Sequence, residues 1–129
     1  MREIFLVGIG GALGAVARYT VSGVACRVFG DRFPYGTLTV NVLGCFLMGL
    51  VMYLGLARDI VPPAYRLALT VGVLGALTTF STFSYETVGY LEDGEWMVAS
   101  ANIAANLVLS VLATLGGLVI ARMLWGGVQ

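Results

Sequence analysis

The run Gly75-Ala76-Leu77-Thr78-Thr79-Phe80-Ser81-Thr82-Phe83 has flanks apolar enough to cross a bilayer, yet holds a glycine, two adjacent threonines, and a serine and threonine between two phenylalanines. Glycine and β-branched threonine lower helix propensity, and hydroxyls compete for backbone groups that the helical ladder would otherwise use. The stretch therefore predicts a membrane helix broken near mid-depth. In hydrocarbon each freed backbone group costs several kcal/mol, so irregular backbone persists there only where it is buried in protein, lines water or holds an ion. The break marks the expected functional centre.

Composition places that break in a membrane. Of 129 residues, 59% are hydrophobic and 11% charged, with a mean hydropathy of +0.94, too little polar surface to cover a soluble globule. Apolar segments occupy residues 4–29, 35–57, 67–85 and 96–121, each meeting or nearly meeting the roughly 20 residues that span about 30 Å of hydrocarbon. Short connections at residues 30–34, 58–66 and 91–95 carry the Asp, Gly, Pro and charged residues expected of interfacial turns. Four spans with no room for a soluble domain predict one transmembrane unit over residues 1–129, with both termini on the same side. Ala15-Val16-Ala17 resembles a signal-peptide cleavage site, but the apolar run continues past it and further spans follow, so the segment is expected to stay in the protein.

The same inventory excludes several functions. All basic residues are arginines, scattered singly and balanced by acids to zero net charge, so no basic stripe suggests nucleic acid. There is no histidine, and Cys26 and Cys45 are isolated from each other, which leaves them as small apolar packing residues rather than metal ligands. A buried hydroxyl without a neighbouring general base does not make a nucleophile, so an enzyme is not expected.

The first helix begins with Gly8-Ile9-Gly10-Gly11-Ala12-Leu13-Gly14, which lacks the glycine spacing of a dinucleotide-binding turn and has no βαβ unit around it. Gly10 and Gly14 instead form a GxxxG pair, joined by Gly8/Ala12 and Gly11/Ala15, that lets another helix approach closely. Arg18 then falls near mid-depth, where an unpaired guanidinium costs about 2.5 to 3.5 kcal/mol on insertion scales. It either snorkels to carbonyls at a helix break or supplies positive potential that draws anions to a cavity.

Polar side chains on the other helices extend this pattern. Asn41 is either interhelical glue or an uncharged amide that replaces part of an ion's hydration shell. Asn102, Asn106, Ser110 and Thr114 recur every fourth residue in an apolar helix, within a sector of about 120° and over about 18 Å. That stripe either zips two helices together or lines a path through the membrane. Phe80 and Phe83, three apart, share a face. Ring edges turned toward a cavity favour an anion and ring faces a cation. Neutral donors predominate near them, with Glu86 the one acid, toward the helix end, and that balance suits a small anion.

Three motifs then carry a family resemblance: GALGAVARY (Gly11 to Tyr19), GTLTVNVLGCFLMG (Gly36 to Gly49) and GVLGALTTFSTF (Gly72 to Phe83). Together with the four-span layout they resemble the Fluc/CrcB fluoride channels. The resemblance implies an antiparallel, dual-topology homodimer in the cell inner membrane, with two fluoride pores and a structural Na⁺. By motif position, the carbonyls of Gly75 and Thr78 would hold the Na⁺, contributed by both subunits. Phe80 and Phe83 would line the fluoride paths beside Asn41 and Ser81, continued by Asn102, Ser110 and Thr114, with Arg18 as electrostatic support. Arginines split weakly between the two sides, Arg2, Arg58, Arg66 and Arg122 against Arg27 and Arg32, and so weak a bias permits insertion both ways. Two rivals are a small four-helix multidrug exporter, which would need a buried acid where the first helix has Arg18, and a non-transporting membrane assembly subunit.

Overall fold

A computed structural model describes Met1 to Gly126 and contains helices and turns without a strand among those residues. The elements are α1 (Arg2–Phe29), α2 (Tyr35–Met52), α3 (Pro63–Leu67), α4 (Gly75–Leu77), α5 (Phe80–Glu92) and α6 (Trp96–Trp125). Two π-helical segments join them: Tyr53–Ala57 extends α2, and Ala68–Leu74 links α3 to α4. The result is four rods, Arg2–Phe29, Tyr35–Ala57, Pro63–Glu92 and Trp96–Trp125, each long and apolar enough to cross a membrane. The protein is a multi-pass membrane protein.

The third rod is longer than the apolar run at residues 67–85 suggests. It starts at Pro63, where a missing N–H costs nothing in the first turn. It runs on through Glu92, which places Glu86 inside the rod rather than at its end.

Helices associate here through small residues, as expected where lipid is as apolar as the side chains. A Cβ on Gly10 would lie 2.7 Å from the Ala68 carbonyl oxygen, and one on Gly72 would lie 2.9 Å from that of Val7. The π segment is therefore seated backbone to backbone on the GxxxG face of α1. Gly8 and Gly11, by contrast, face open space. Between α2 and α6 the same device works in both directions, Gly49 lying against the Thr114 carbonyl and Gly117 against that of Phe46.

The apolar core is small. Val40, Leu74 and Leu77 form its buried centre, with Ala17, Val21 and Leu47 packed around them. Large side chains such as Leu13, Val16, Leu107 and Leu112 remain exposed on the outer surface, as they would be toward lipid or another subunit.

Candidate functional site

The third rod is interrupted at Thr78 and Thr79. Backbone angles leave the helical range at Thr78 (φ −77°, ψ 156°) and are fully extended at Thr79 (φ −151°, ψ 111°), after which α5 begins at Phe80. Gly75 itself keeps helical angles (φ −64°, ψ −33°), so the two threonines, not the glycine, make the break.

Their hydroxyls explain why. Thr78 Oγ1 donates to the Leu74 carbonyl at 3.0 Å, the acceptor its own N–H also uses. Thr79 Oγ1 accepts the Thr82 N–H at 3.2 Å as the N-cap of α5 and donates to Thr82 Oγ1 at 2.9 Å. Ser81 Oγ lies 3.3 Å from the same Thr79 hydroxyl.

The extended residue needs partners for its own backbone, and one side chain supplies both. Asn41 Oδ1 accepts the Thr79 N–H at 2.8 Å, while Asn41 Nδ2 donates to the Thr79 carbonyl at 3.3 Å. The carbonyls left behind are informative. In an unbroken helix the Thr79 N–H would go to Gly75 and the Thr82 N–H to Thr78. Here the first goes to Asn41 and the second to the Thr79 hydroxyl, so the carbonyls of Gly75 and Thr78 both lose their helical donors.

Asn41 also opens a longer chain of hydrogen bonds. Its Nδ2 donates to Asn106 Oδ1 at 2.9 Å. Asn106 Nδ2 donates to Asn102 Oδ1 at 2.8 Å and to the Asn102 carbonyl at 3.1 Å. Asn102 Nδ2 donates to Thr87 Oγ1 at 2.9 Å, and that hydroxyl to the Phe83 carbonyl at 2.7 Å. The chain leaves the broken rod at Thr79, crosses α2 and α6, and returns to the rod at Thr87, about two turns further on.

Two cavities adjoin the break. One, of about 250 Å³, is lined by Asn41, Thr78, Phe80, Phe83, Asn106 and Ser110 among others. The two rings are tilted by 53° with centroids 5.4 Å apart; Phe83 is 8% exposed and Phe80 75%. The other cavity, about 480 Å³, shares Thr79 and is bordered by the half-buried Arg18 together with Ser22, Thr37 and Thr82.

Of the residues singled out in the sequence, Asn41, Phe80, Phe83 and Ser110 thus meet in one groove. Asn102 lies fully buried behind Asn106, and Ser81 sits exposed beside the α5 cap. Thr114 is one turn further along α6, its hydroxyl donating to the Ser110 carbonyl at 3.0 Å. Gly75 is exposed one turn before the break, and Arg18 borders the second cavity. Thr79 and Thr87 were not singled out individually, and both are central to the hydrogen bonding. So is the Thr37 hydroxyl, which donates to Glu86 Oε1 at 2.8 Å while Glu86 Oε2 is buried with no hydrogen-bond partner among the described residues. No cluster of three or more Cys, Asp or Glu side chains among the described residues is placed to hold a metal.

Residues 5–118 match the family described as CrcB-like protein, Camphor Resistance (CrcB). The chain belongs to this family. Among curated relatives, a Geobacter sp. (strain M21) protein named fluoride-specific ion channel FluC is 46% identical over 124 residues, covering 96% of this chain and 100% of that protein. Proteins of the same name from Geobacter metallireducens and Magnetococcus marinus are each 48% identical, covering 96% and 95% of this chain and 100% and 99% of their own lengths. Every candidate site residue from Arg18 to Thr114 lies within the CrcB match.

Proposed function

We propose that the protein is a fluoride-selective channel that lets cytoplasmic fluoride leave passively down its gradient. The observation that carries this reading is the groove at the helix break, lined by two phenylalanine rings, serine and threonine hydroxyls and asparagine amides, with no carboxylate in its wall. A small anion that sheds water there meets positive ring edges and neutral donors. The name borne by the relatives supports fluoride as that anion. Channels, not enzymes, are the class to which those relatives are assigned.

In this reading Phe80, Phe83, Asn41 and Ser81 line the path near the break, and Ser110 and Thr114 continue it along α6. Asn102, expected in the path from the sequence, is fully buried behind Asn106 and supports the path from outside. Arg18 raises the potential of the adjoining cavity without a formal partner in the groove. Two subunits are packed antiparallel, inserted in opposite senses in the cell inner membrane, each pair forming two pores. The outward-facing apolar side chains and the openness of the groove in one subunit favour such a partner. A structural Na⁺ fits the carbonyls of Gly75 and Thr78, because both have lost their helical donors and hard cations take oxygen ligands. When bound, the ion supplies positive charge that holds these carbonyls together.

The multidrug-exporter alternative requires a buried acid in the first span, and the half-buried charge there is Arg18. A bacterial strain stripped of its own fluoride exporters tests the function in cells. Expression of this chain is expected to restore growth on fluoride medium at low pH, where hydrogen fluoride enters neutral and ionises inside. Growth no better than the empty-vector strain, with the protein present in the membrane, contradicts it.

A further inference from the structure

The three asparagines do more than line a path. Their hydrogen bonds run head to tail in one direction: Thr79 N–H to Asn41, Asn41 to Asn106, Asn106 to Asn102, Asn102 to Thr87, and Thr87 to the Phe83 carbonyl. Reversal is blocked at the start, because a backbone N–H can only donate. With Asn41 Oδ1 fixed by that N–H, its amide nitrogen must face Asn106 Oδ1, which in turn commits the Asn106 nitrogen to Asn102. Aligned bonds of this kind polarise and reinforce one another in a low dielectric.

We infer that Asn102, fully buried on α6 and outside the groove wall, is a positioning residue that holds the Thr79 break in register through Asn106 and Asn41. It does so by accepting twice from Asn106, through Oδ1 at 2.8 Å and its carbonyl at 3.1 Å. That consumes the hydrogens of Asn106 Nδ2 and leaves Asn106 Oδ1 free to receive Asn41. Asn41 is then held as a two-point clamp on Thr79. A consequence for the channel is that Asn41 and Asn106 present no unspent amide hydrogen to the groove. The donors left open to an anion in the groove are the Ser110 hydroxyl and the ring edges, since the Thr78 and Thr79 hydroxyls donate to Leu74 and Thr82, and the amides set where those donors stand. The role in conduction rests on the fluoride-channel reading, whereas the role in positioning does not.

Hydrogen–deuterium exchange at the Thr79 amide, followed in the purified wild-type protein and variants, separates the two. Asn102→Leu removes the Oδ1 acceptor and is expected to speed exchange at Thr79 by about tenfold, equivalent to about 1.4 kcal/mol of lost protection. Asn102→Asp keeps the acceptor toward Asn106 and is expected to retain most of that protection, whereas a mere filling role at position 102 would leave Asn102→Leu, of similar size, at the wild-type rate. Ser110→Ala, in the same groove but outside the hydrogen-bond chain, should leave Thr79 exchange at the wild-type rate. Where Asn102→Leu does not fold, Thr87→Val, which keeps the side-chain shape and removes the hydroxyl that receives Asn102, takes its place and should speed exchange by a few-fold. Wild-type exchange at Thr79 in the folded variant overturns the proposal. Fluoride efflux measured on the same samples supplies the second reading: Asn102→Leu and Asn41→Leu should combine far less than multiplicatively, and a multiplicative loss contradicts the shared chain. Absence of efflux from wild-type protein would instead remove the channel reading and leave the exchange result standing.

Discussion

Phe80 and Phe83 share the wall of one groove but meet different surroundings, one ring mostly exposed and the other nearly covered. Replacing either by Ile keeps an apolar side chain and removes the ring edge, so fluoride efflux is expected to fall by at least about tenfold, the effect of losing roughly 1.4 kcal/mol of anion stabilisation. Wild-type rates in both variants would take the rings out of the mechanism. Thr79 carries a different burden. Thr79→Val removes the cap of α5, expected to cost about 1 kcal/mol, and should appear as a lower thermal midpoint in detergent. Gly44 lies directly under the Thr78 methyl group, whose hydroxyl is tied to Leu74. Gly44→Ala should therefore displace the break and cost about 1–3 kcal/mol by overpacking, with loss of both thermal stability and flux; an unchanged midpoint and flux would mean the site yields freely.

Among the elements, the close approach of α2 and α6 depends on Gly49 and Gly117, each facing a carbonyl of the other helix. Gly117→Val forces the helices apart at that crossing, with an expected cost of about 1–3 kcal/mol, readable as a fall in the thermal midpoint. Gly8→Val, on the open side of α1, is the internal comparison and should leave the isolated subunit's packing intact.

The elements also show what the primary sequence discloses. Four spans and the GxxxG face of α1 follow from local composition and spacing, and so does a break in the third rod, because propensity acts within a few residues. Its exact place does not: Gly75 is the weaker helix former, yet Thr78 and Thr79 break the helix because their hydroxyls find acceptors and donors in the fold. Asn41 and Thr79 are 38 residues apart, and Asn102 and Thr87 are 15 apart, so only packing reveals those partners. The Asn102-Asn106-Ser110-Thr114 period was visible as a stripe, but the choice between helix glue and ion path was not. In the structure Asn102 and Asn106 hydrogen-bond to each other and across to α5 and α2, and Asn106 and Ser110 both line the groove. The π segments left no trace in the pattern; Ala68–Leu74 lies where the third rod is pressed backbone to backbone against α1, and Tyr53–Ala57 extends α2 in the second rod.

For the molecule as a whole, the core is small and large apolar side chains cover the outer surface, where lipid or the proposed second subunit would meet them. An antiparallel pair should give a particle near twice the 13.6 kDa chain mass in detergent, after the detergent contribution is subtracted; a monomer at all concentrations contradicts the pairing. If Na⁺ binds the native state at the Gly75 and Thr78 carbonyls, raising Na⁺ to 100 times its dissociation constant stabilises the fold by about 2.7 kcal/mol. The thermal midpoint should then rise with Na⁺ and not with an equal concentration of a large organic cation, and equal effects of the two would leave the site without support.

These claims converge on what crosses the membrane. Purified protein reconstituted into liposomes loaded with equal fluoride and chloride, with efflux followed by ion-selective electrodes after a valinomycin-mediated potassium shunt is opened, tests this most directly. The account predicts rapid release of fluoride while chloride stays inside; no fluoride release, or chloride leaving as fast as fluoride, would contradict it.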